Sequence, residues 1–420
     1  MDALSAGREL IGHTLAVHII IVTISIGLPV LMSYFEWQAW RHKSHEYRRL
    51  TRLLALWAAV FVVAGVFTGT AVALQLSTLW APFLDHVRPS VGVLFQLEGY
   101  MFLIEAVFLS WYLGTLNTIG SIKHFWIGLP ISIGTIGSAF FITSVNAYMN
   151  NPEAIFTATT ANEVMHSVAS YLFSTTVLVL GYIAWRSLKK QTLVAQKFLQ
   201  SVMLQLGVIA GLLLIALAVL GHQSAVLLAS TQPHKLAAIE ILDNTQTNAP
   251  LRIGGMIDDS GKATGGIVLP GVLSWLVGWS TDTKVQGLNE IPRDQWPFLV
   301  VHTMFDIKMI LVGLSCAIIL LVVWYGWRIH KQPRWLRIVL VPFSSIGFVM
   351  LELGWLITEF GRQTWTVVGK LSTESAYTLG ANIHRTQYLF IVLFVLLGLT
   401  TTYALVYTTR RWRSEEKQSW

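Results

Sequence analysis

Nine apolar stretches, each long enough to cross a bilayer, narrow most sharply what this chain can fold into. A transmembrane helix takes about 20 residues. Runs of at least that length lie at roughly 10–32, 53–78, 92–116, 124–147, 163–185, 198–221, 298–327, 336–359 and 387–408. The expected fold class is therefore all-α: a polytopic membrane protein of about nine transmembrane helices. Composition agrees, because only 12% of residues are charged, against about 25% in soluble domains. The seventeen tryptophans suit interfacial belts or the packing of flat rings. A single cysteine, Cys316, leaves no disulfide framework or thiolate cluster. No cleaved signal peptide is expected, since no basic cluster precedes the first apolar run.

The net charge of +7 is explained by topology. Alternate loops carry Arg41, Lys43, Arg48, Arg49 and Arg52, then Lys123, then Arg186, Lys189, Lys190 and Lys197, then Arg328, Lys331, Arg334 and Arg337. The tail adds Arg410, Arg411, Arg413 and Lys417, while the opposite short loops are nearly bare. Cytoplasmic loops hold the excess of Lys and Arg, so the N-terminus is expected outside and the C-terminus in the cytoplasm, with no nucleic-acid partner. Three regions follow: helices one to six over 1–221, a long external loop over 222–297, and helices seven to nine with a short tail over 298–420. Within the loop, the glycine-rich part around Gly254, Gly255, Gly261, Gly265 and Gly266 is expected to be flexible. Ile267–Trp279 is apolar but too short to span, which suggests an interfacial or re-entrant segment.

Ionisable residues inside the apolar runs are costly and by default mark function. Glu98 and Glu105 are seven apart and share a helix face, as do Glu352 and Glu359. His13 and His18 lie on the first run, His166 near the start of the fifth, and Asp306, Lys308 and Met309 on the seventh. With the deduced orientation, Glu98, His166, Glu359 and Arg362 fall in the outer half of the membrane, and His18 and Met309 somewhat deeper. His, Met and Glu are the side chains that suit haem iron. Each has a plainer reading: a lone methionine is core filler, a membrane histidine bonds neighbouring helices, and paired carboxylates also serve a proton-coupled transporter. Spacing alone leaves haem enzyme and transporter both open.

The motifs are more specific. Gly354-Trp355-Leu356-Ile357-Thr358-Glu359-Phe360-Gly361-Arg362-Gln363-Thr364-Trp365 is similar to the Gly-Trp-x-x-x-Glu-x-Gly-Arg-Gln-Pro-Trp signature of subunit I of the cytochrome bd-type quinol oxidases. Glu98-Gly99-Tyr100-Met101 with Glu105, Met149-Asn150-Asn151-Pro152, His166-Ser167-Val168-Ala169-Ser170, Lys235-Leu236-Ala237-Ala238-Ile239-Glu240 and Gly65-Val66-Phe67-Thr68-Gly69 resemble further family motifs in the same order.

The resemblance implies helices bundled around three haems in a prokaryotic cytoplasmic membrane. His166 and Met309 would be the axial pair of a low-spin haem b. His18 and Glu359 would serve a high-spin haem b and a haem d, or a further haem b in place of d, with the allocation left open. Glu98 and Glu105 would aid ligation and deliver protons, and Trp355 would lie between haems. Arg8 and Arg362 would meet propionates, and Lys235 with Glu240 would handle quinol. The implied reaction is electrogenic quinol oxidation at the outer face, with oxygen reduced to water by cytoplasmic protons and no proton pumping. The implied partners are a second large membrane subunit and a small single-helix accessory subunit. The chain departs from the pattern at Ile307, where the family has an arginine, and at Thr364, where it has proline. Lys308 is offset around the helix from position 307 by about 100°. The external loop is of the short type, and His13 is read as structural.

Overall fold

The computed structural model describes residues 3–258, 260–378 and 383–418. Among these, nine helices are long and apolar enough to cross a membrane, the number expected from hydropathy. The first six are α1 (Ala3–His42), α2 (His45–Thr78), α3 (Ala81–Gly114), α4 (Ser121–Asn150), α5 (Ala158–Ser187) and α6 (Leu193–Thr231). Two short helices follow, α7 (Pro233–Ile239) and α8 (Val272–Gly278). The seventh span is α9 (Val300–Trp324), continued by a wider helical turn over Tyr325–Ile329. The eighth is α10 (Arg334–Phe343) followed by α11 (Ile346–Gly361), and the ninth is α12 (Ile383–Gln418). The α10–α11 break falls just after Pro342, where Ser344 N and Ser345 N bond to carbonyl oxygens three residues back, those of Val341 and Pro342.

The helices outrun the apolar windows because their polar ends do not stop them. α1 continues through Arg41 and His42, and α2 begins where Ser44 caps it, its hydroxyl accepting from Tyr47 N at 3.3 Å. α5 starts at a reciprocal cap between Thr157 and Thr160. Backbone bonds closed within each helix are what the hydrocarbon region requires.

The chain forms two compact units. The first comprises Met1–Ile142, Ser174–Thr176 and Glu374–Trp420. In it α1 and α2 pack side by side, burying Leu28, Phe35, Leu53, Leu54 and Ala58 completely. α12 lies on α2, with Trp57 Nε1 donating to Thr409 Oγ1 at 3.0 Å. Gly134 of α4 lets α3 come close: a Cβ there would stand 2.8 Å from the Met101 carbonyl oxygen.

The second unit comprises Thr143–Phe173 and Val177–Thr373. Here α9 packs between α6 and α11. The segment between α7 and α9 contains nested antiparallel pairs, β1 (Leu251–Ile253) with β4 (Ile267–Leu269) and β2 (Met256–Ile257) with β3 (Ala263–Thr264). The glycine-rich stretch expected to be flexible is thus a hairpin of defined register. Gly255 and Gly266 take positive φ and bring backbones together; a Cβ on Gly255 would lie 2.7 Å from the Thr264 carbonyl oxygen. The apolar run 267–279 divides into β4 and α8. After α11, β5 (Trp365–Val367) pairs with β6 (Leu371–Ser372).

Candidate functional site

In the first unit, His18 on α1 faces Thr68 on α2, with Nδ1 2.8 Å from Thr68 Oγ1. The threonine hydroxyl has one proton, which it gives to the Ala64 carbonyl at 3.1 Å. In the tautomer that matches this arrangement Nδ1–H donates to Thr68 and Nε2 keeps its lone pair, the form in which imidazole binds iron. Gly69 leaves the ring edge open, since a Cβ there would stand 3.3 Å from His18 Cε1. On α3, Glu98 accepts from Ser138 of α4 at 2.9 Å. Glu105 is buried on the same side, with Oε1 lacking any partner among the described residues. Arg8 sits on the second turn of α1.

The second unit holds the remaining residues. His166 on α5 has no hydrogen bond to either ring nitrogen from a described residue, and its Nδ1 is buried. The plainer reading, a histidine tying helices together, therefore fails here. Met309 lies on α9, with 49% of its surface exposed within the chain. Lys308 approaches α11 at Gly354, where a Cβ would stand 2.8 Å from Nζ, whereas Ile307 points outward. Trp355 is half-buried, one turn before Glu359.

Glu359 and Arg362 are joined: Arg362 donates to Glu359 Oε2 at 2.5 Å, and Asn146 Nδ2 donates to Glu359 Oε1 at 3.1 Å. Asn150 closes a ring, donating to Asn146 Oδ1 at 3.1 Å and accepting from Arg362 at 3.4 Å. It also donates to Glu163 at 3.3 Å. Sequence reasoning quoted Asn150 only as part of a motif and overlooked Asn146 and Glu163. The signal was available: Asn146 and Asn150 are one turn apart at the end of an apolar run.

Lys235 and Glu240, grouped together from the motif, face different surroundings. They are five residues apart around α7, about 140° on a helix of 3.6 residues per turn. Lys235 is 4% exposed and its alkyl stem crosses Gly361 of α11. Burial pushes its ammonium down to about 8; Glu163 and Glu359 oppose the fall and Arg362 adds to it. Glu240 is 6% exposed, and burial pushes its carboxyl up to about 8, with the Asp306 carboxylate adding to the rise. Asp306 accepts from Gly254 N at 2.6 Å and lies 3.4 Å from His302 Nε2. His302 Nδ1 in turn lies 2.7 Å from the Ile239 carbonyl oxygen. His302 and Asp306, one turn apart, thus pin the hairpin to the end of α7.

A polytopic helical membrane protein with two histidines, one in each unit, that each keep a ring nitrogen without a hydrogen bond from a described residue is the class so defined. A family described as cytochrome bd terminal oxidase subunit I matches residues 7–412, and the chain belongs to that family. It is 31% identical over 439 residues to the putative cytochrome bd menaquinol oxidase subunit I of Bacillus subtilis, covering 98% of this chain and 97% of the relative. It is 25% identical to the cytochrome bd ubiquinol oxidase subunit 1 of the same organism, covering 97% and 93%. The solved structure of the bd oxidase from Geobacillus thermodenitrificans superposes with a TM-score of 0.90 at 29% identity, covering 98% of this chain and 99% of that one.

A cytochrome family implies haem, and the side chains fit it. His18 and His166 each offer an unbonded ring nitrogen. Buried polar atoms are normally paired, yet His166 Nδ1, Glu105 Oε1, Glu352 Oε1 and Arg362 Nε have no partner among the described residues. Glu359 fits as a carboxylate already oriented by Arg362 and Asn146. Among the described residues, no three His, Cys, Asp or Glu side chains gather as a metal cluster; axial ligation of haem needs one or two.

Proposed function

We propose that this chain is the haem-carrying subunit of an electrogenic terminal quinol oxidase in a prokaryotic cytoplasmic membrane. Its N-terminus lies outside and its C-terminus in the cytoplasm. The observation that carries this reading is His166: an imidazole with a buried Nδ1 and no hydrogen bond to its ring from a described residue, in the same unit as the Lys235–Glu240 segment. A haem-free transporter has no use for it.

His166 and Met309 would hold the low-spin haem b. His18 and Glu359 would serve the high-spin haems, one b and the other d or a further b, with Trp355 between haems and Arg8 and Arg362 at propionates. Bound haem supplies the one-electron carriers and the centre at which oxygen is reduced to water. The protein's part is to place the quinol and move protons. Lys235 donates an N–H to a quinol oxygen. The Glu240 carboxylate, which accepts no hydrogen bond from a described residue, takes the proton of a quinol hydroxyl and releases it outside. Glu98 and Glu105, on one face of α3, hold protons drawn from the cytoplasm, so that charge crosses the membrane without pumping. A second large membrane subunit and a small accessory subunit would complete the enzyme.

The test is a reduced-minus-oxidised spectrum of the purified complex, followed by carbon monoxide and by quinol-driven oxygen uptake. Haem bands with a carbon monoxide-sensitive component are expected, and their complete absence would sink the reading. Glu240→Ala should retain the bands and lose quinol turnover; normal oxygen uptake in that variant would remove the segment from the quinol site.

A further inference from the structure

The stretch from Ile267 to Trp279 turns apolar side chains to the surface. No charged residue stands between Lys262 and Asp282. Ile253, Ile267 and Leu269 are exposed on one face of the β1–β4 pair, where alternate residues point the same way. On α8, Trp275 is 46% and Trp279 66% exposed, and their rings meet edge to face at 5.1 Å. Trp279 closes α8 in the left-handed conformation, φ 58°, with its backbone N–H donating to the Trp275 carbonyl oxygen at 2.8 Å. Glycine commonly fills that place. A bulky residue held there is strained, and strain of this kind gathers at functional positions.

Two contacts set the height of this surface. Trp279 packs edge to face on His222 of α6, with ring centroids 5.3 Å apart. His222 directly follows the apolar run 198–221 and lies about 14 Å short of the helix end at Thr231. On the other flank, Gly254 N donates to Asp306, which lies about 9 Å inside α9 from its start at Val300. The segment therefore folds down along two membrane-crossing helices, and its tryptophans come level with the end of an apolar run. That level is the headgroup layer, where tryptophan is enriched because its ring is apolar and its N–H polar. Height and residue type together favour lipid over a protein chain as the cover of this strip.

The opposite side of α8 is fixed to the protein. Leu273 is buried with Leu236 of α7 and with Leu242, Ala249 and Val285. Ser274 Oγ accepts from Ala249 N at 2.8 Å and donates to the Thr283 carbonyl oxygen at 2.7 Å. Whatever holds α8 thus also holds α7, at the residue next to Lys235.

We propose that Trp275, Trp279 and the exposed β1–β4 face form a phospholipid seat, which lies in the headgroup layer and, through Leu273, fixes the height of α7 at the membrane surface. That the leaflet is the outer one rests on the topology proposed above, and the consequence for quinol rests on Lys235 belonging to the quinol site. A seat at this height lets quinol pass from lipid to α7 without crossing water.

The experiment places a nitroxide on the purified complex in phosphatidylcholine liposomes, at Trp279→Cys, Ile267→Cys or Ser260→Cys, with the native thiol removed by Cys316→Ser. Collisions with oxygen, which collects in lipid, and with a water-soluble nickel chelate report the depth of each label. Labels at 279 and 267 should report lipid at a depth of about 5–10 Å, and the label at 260, between Asp258 and Lys262, should report water. The label at 267 leaves both tryptophans in place. Equal access of the chelate to all three labels would overturn the proposal. So would labels at 279 and 267 closed to both reagents, because a protein chain would then cover them. Trp275→Ser/Trp279→Ser should keep the haem bands and the KM for a short-chain quinol in detergent. For a long-chain quinol dissolved in the liposomes its KM should rise about fivefold, the result of seating α7 in about a fifth of the molecules. A native KM in liposomes would overturn the hold on α7. Native turnover in Lys235→Met would instead remove the quinol reading and leave the measured depths as they are.

Discussion

Replacing Asp306 by asparagine tests the quinol chemistry at one charge. Burial and the Asp306 carboxylate together hold Glu240 at about 8. The ionised form is the one that accepts a proton, so turnover limited by Glu240 rises as pH increases through about 8. At pH 7 only about a tenth of the molecules carry the active carboxylate. Removing a like charge lowers a carboxyl pKa, here by about one pH unit. The limb should then fall to about pH 7, where about half the molecules would be ionised. Turnover at pH 7 should therefore rise about fivefold. The substitution is mild, because an amide oxygen can still accept from Gly254 N, the 2.6 Å bond that Asp306 makes. His302 keeps its contacts with the Ile239 and Gly254 carbonyl oxygens. The assay is oxygen uptake with saturating quinol across pH 5.5–9.5 (an illustrative range of about four units), with haem absorbance as the control for assembly. An acidic limb that stays in place, or moves upward, would refute the assignment of that limb to Glu240.

Two further outcomes follow from other residues. Met309→Leu should selectively disturb the low-spin haem band, because it removes the thioether while keeping an apolar side chain of similar size; an unchanged band in the reduced spectrum would show that Met309 is not the ligand. Gly134→Ala should loosen the α3–α4 packing at a cost of about 1–3 kcal/mol, since the added Cβ meets backbone atoms, Met101 O at 2.8 Å and Glu105 N at 3.0 Å. A thermal midpoint equal to that of the native complex would mean the helices separate more easily than their contact implies.

The sequence reveals what depends on solvent preference and periodicity. Nine spans are legible because lipid demands long apolar runs. Glu98 and Glu105 share a face because seven residues are nearly two helical turns. Pairing between distant segments is not legible in that way. Nothing in the spacing brings Glu163 to Asn150 or Asp306 to Gly254, since those contacts depend on how helices cross and how a hairpin folds back. The grouping of Lys235 with Glu240 came from a motif read as a line, although five residues of helix turn the two side chains apart. Neighbours on α9 likewise face different ways: Ile307 is 45% exposed while Lys308 turns in to α11 at Gly354.

The signature after Gly354 shows how few of its residues are there for chemistry alone. Gly354 admits the Lys308 ammonium, and Gly361 admits the Lys235 stem, so two glycines on α11 seat two lysines from other elements. Glu359 and Arg362 face one another because three residues separate them on a helix. Beyond α11, the Thr364 carbonyl oxygen accepts from Thr373 N at 3.1 Å and from its hydroxyl at 3.2 Å. The Gln363 side-chain oxygen also accepts from that hydroxyl, at 3.1 Å. The chain here has threonine where the family signature has proline, and this hairpin fastens the turn through hydrogen bonds. The end of α11 is thereby held while its two charged residues stay within reach of Asn146 and Asn150. A terminus that frayed would release Arg362 first, leaving Glu359 with Asn146 alone. The β5–β6 hairpin therefore belongs to the site's support, and any change at Thr373 should register at Glu359.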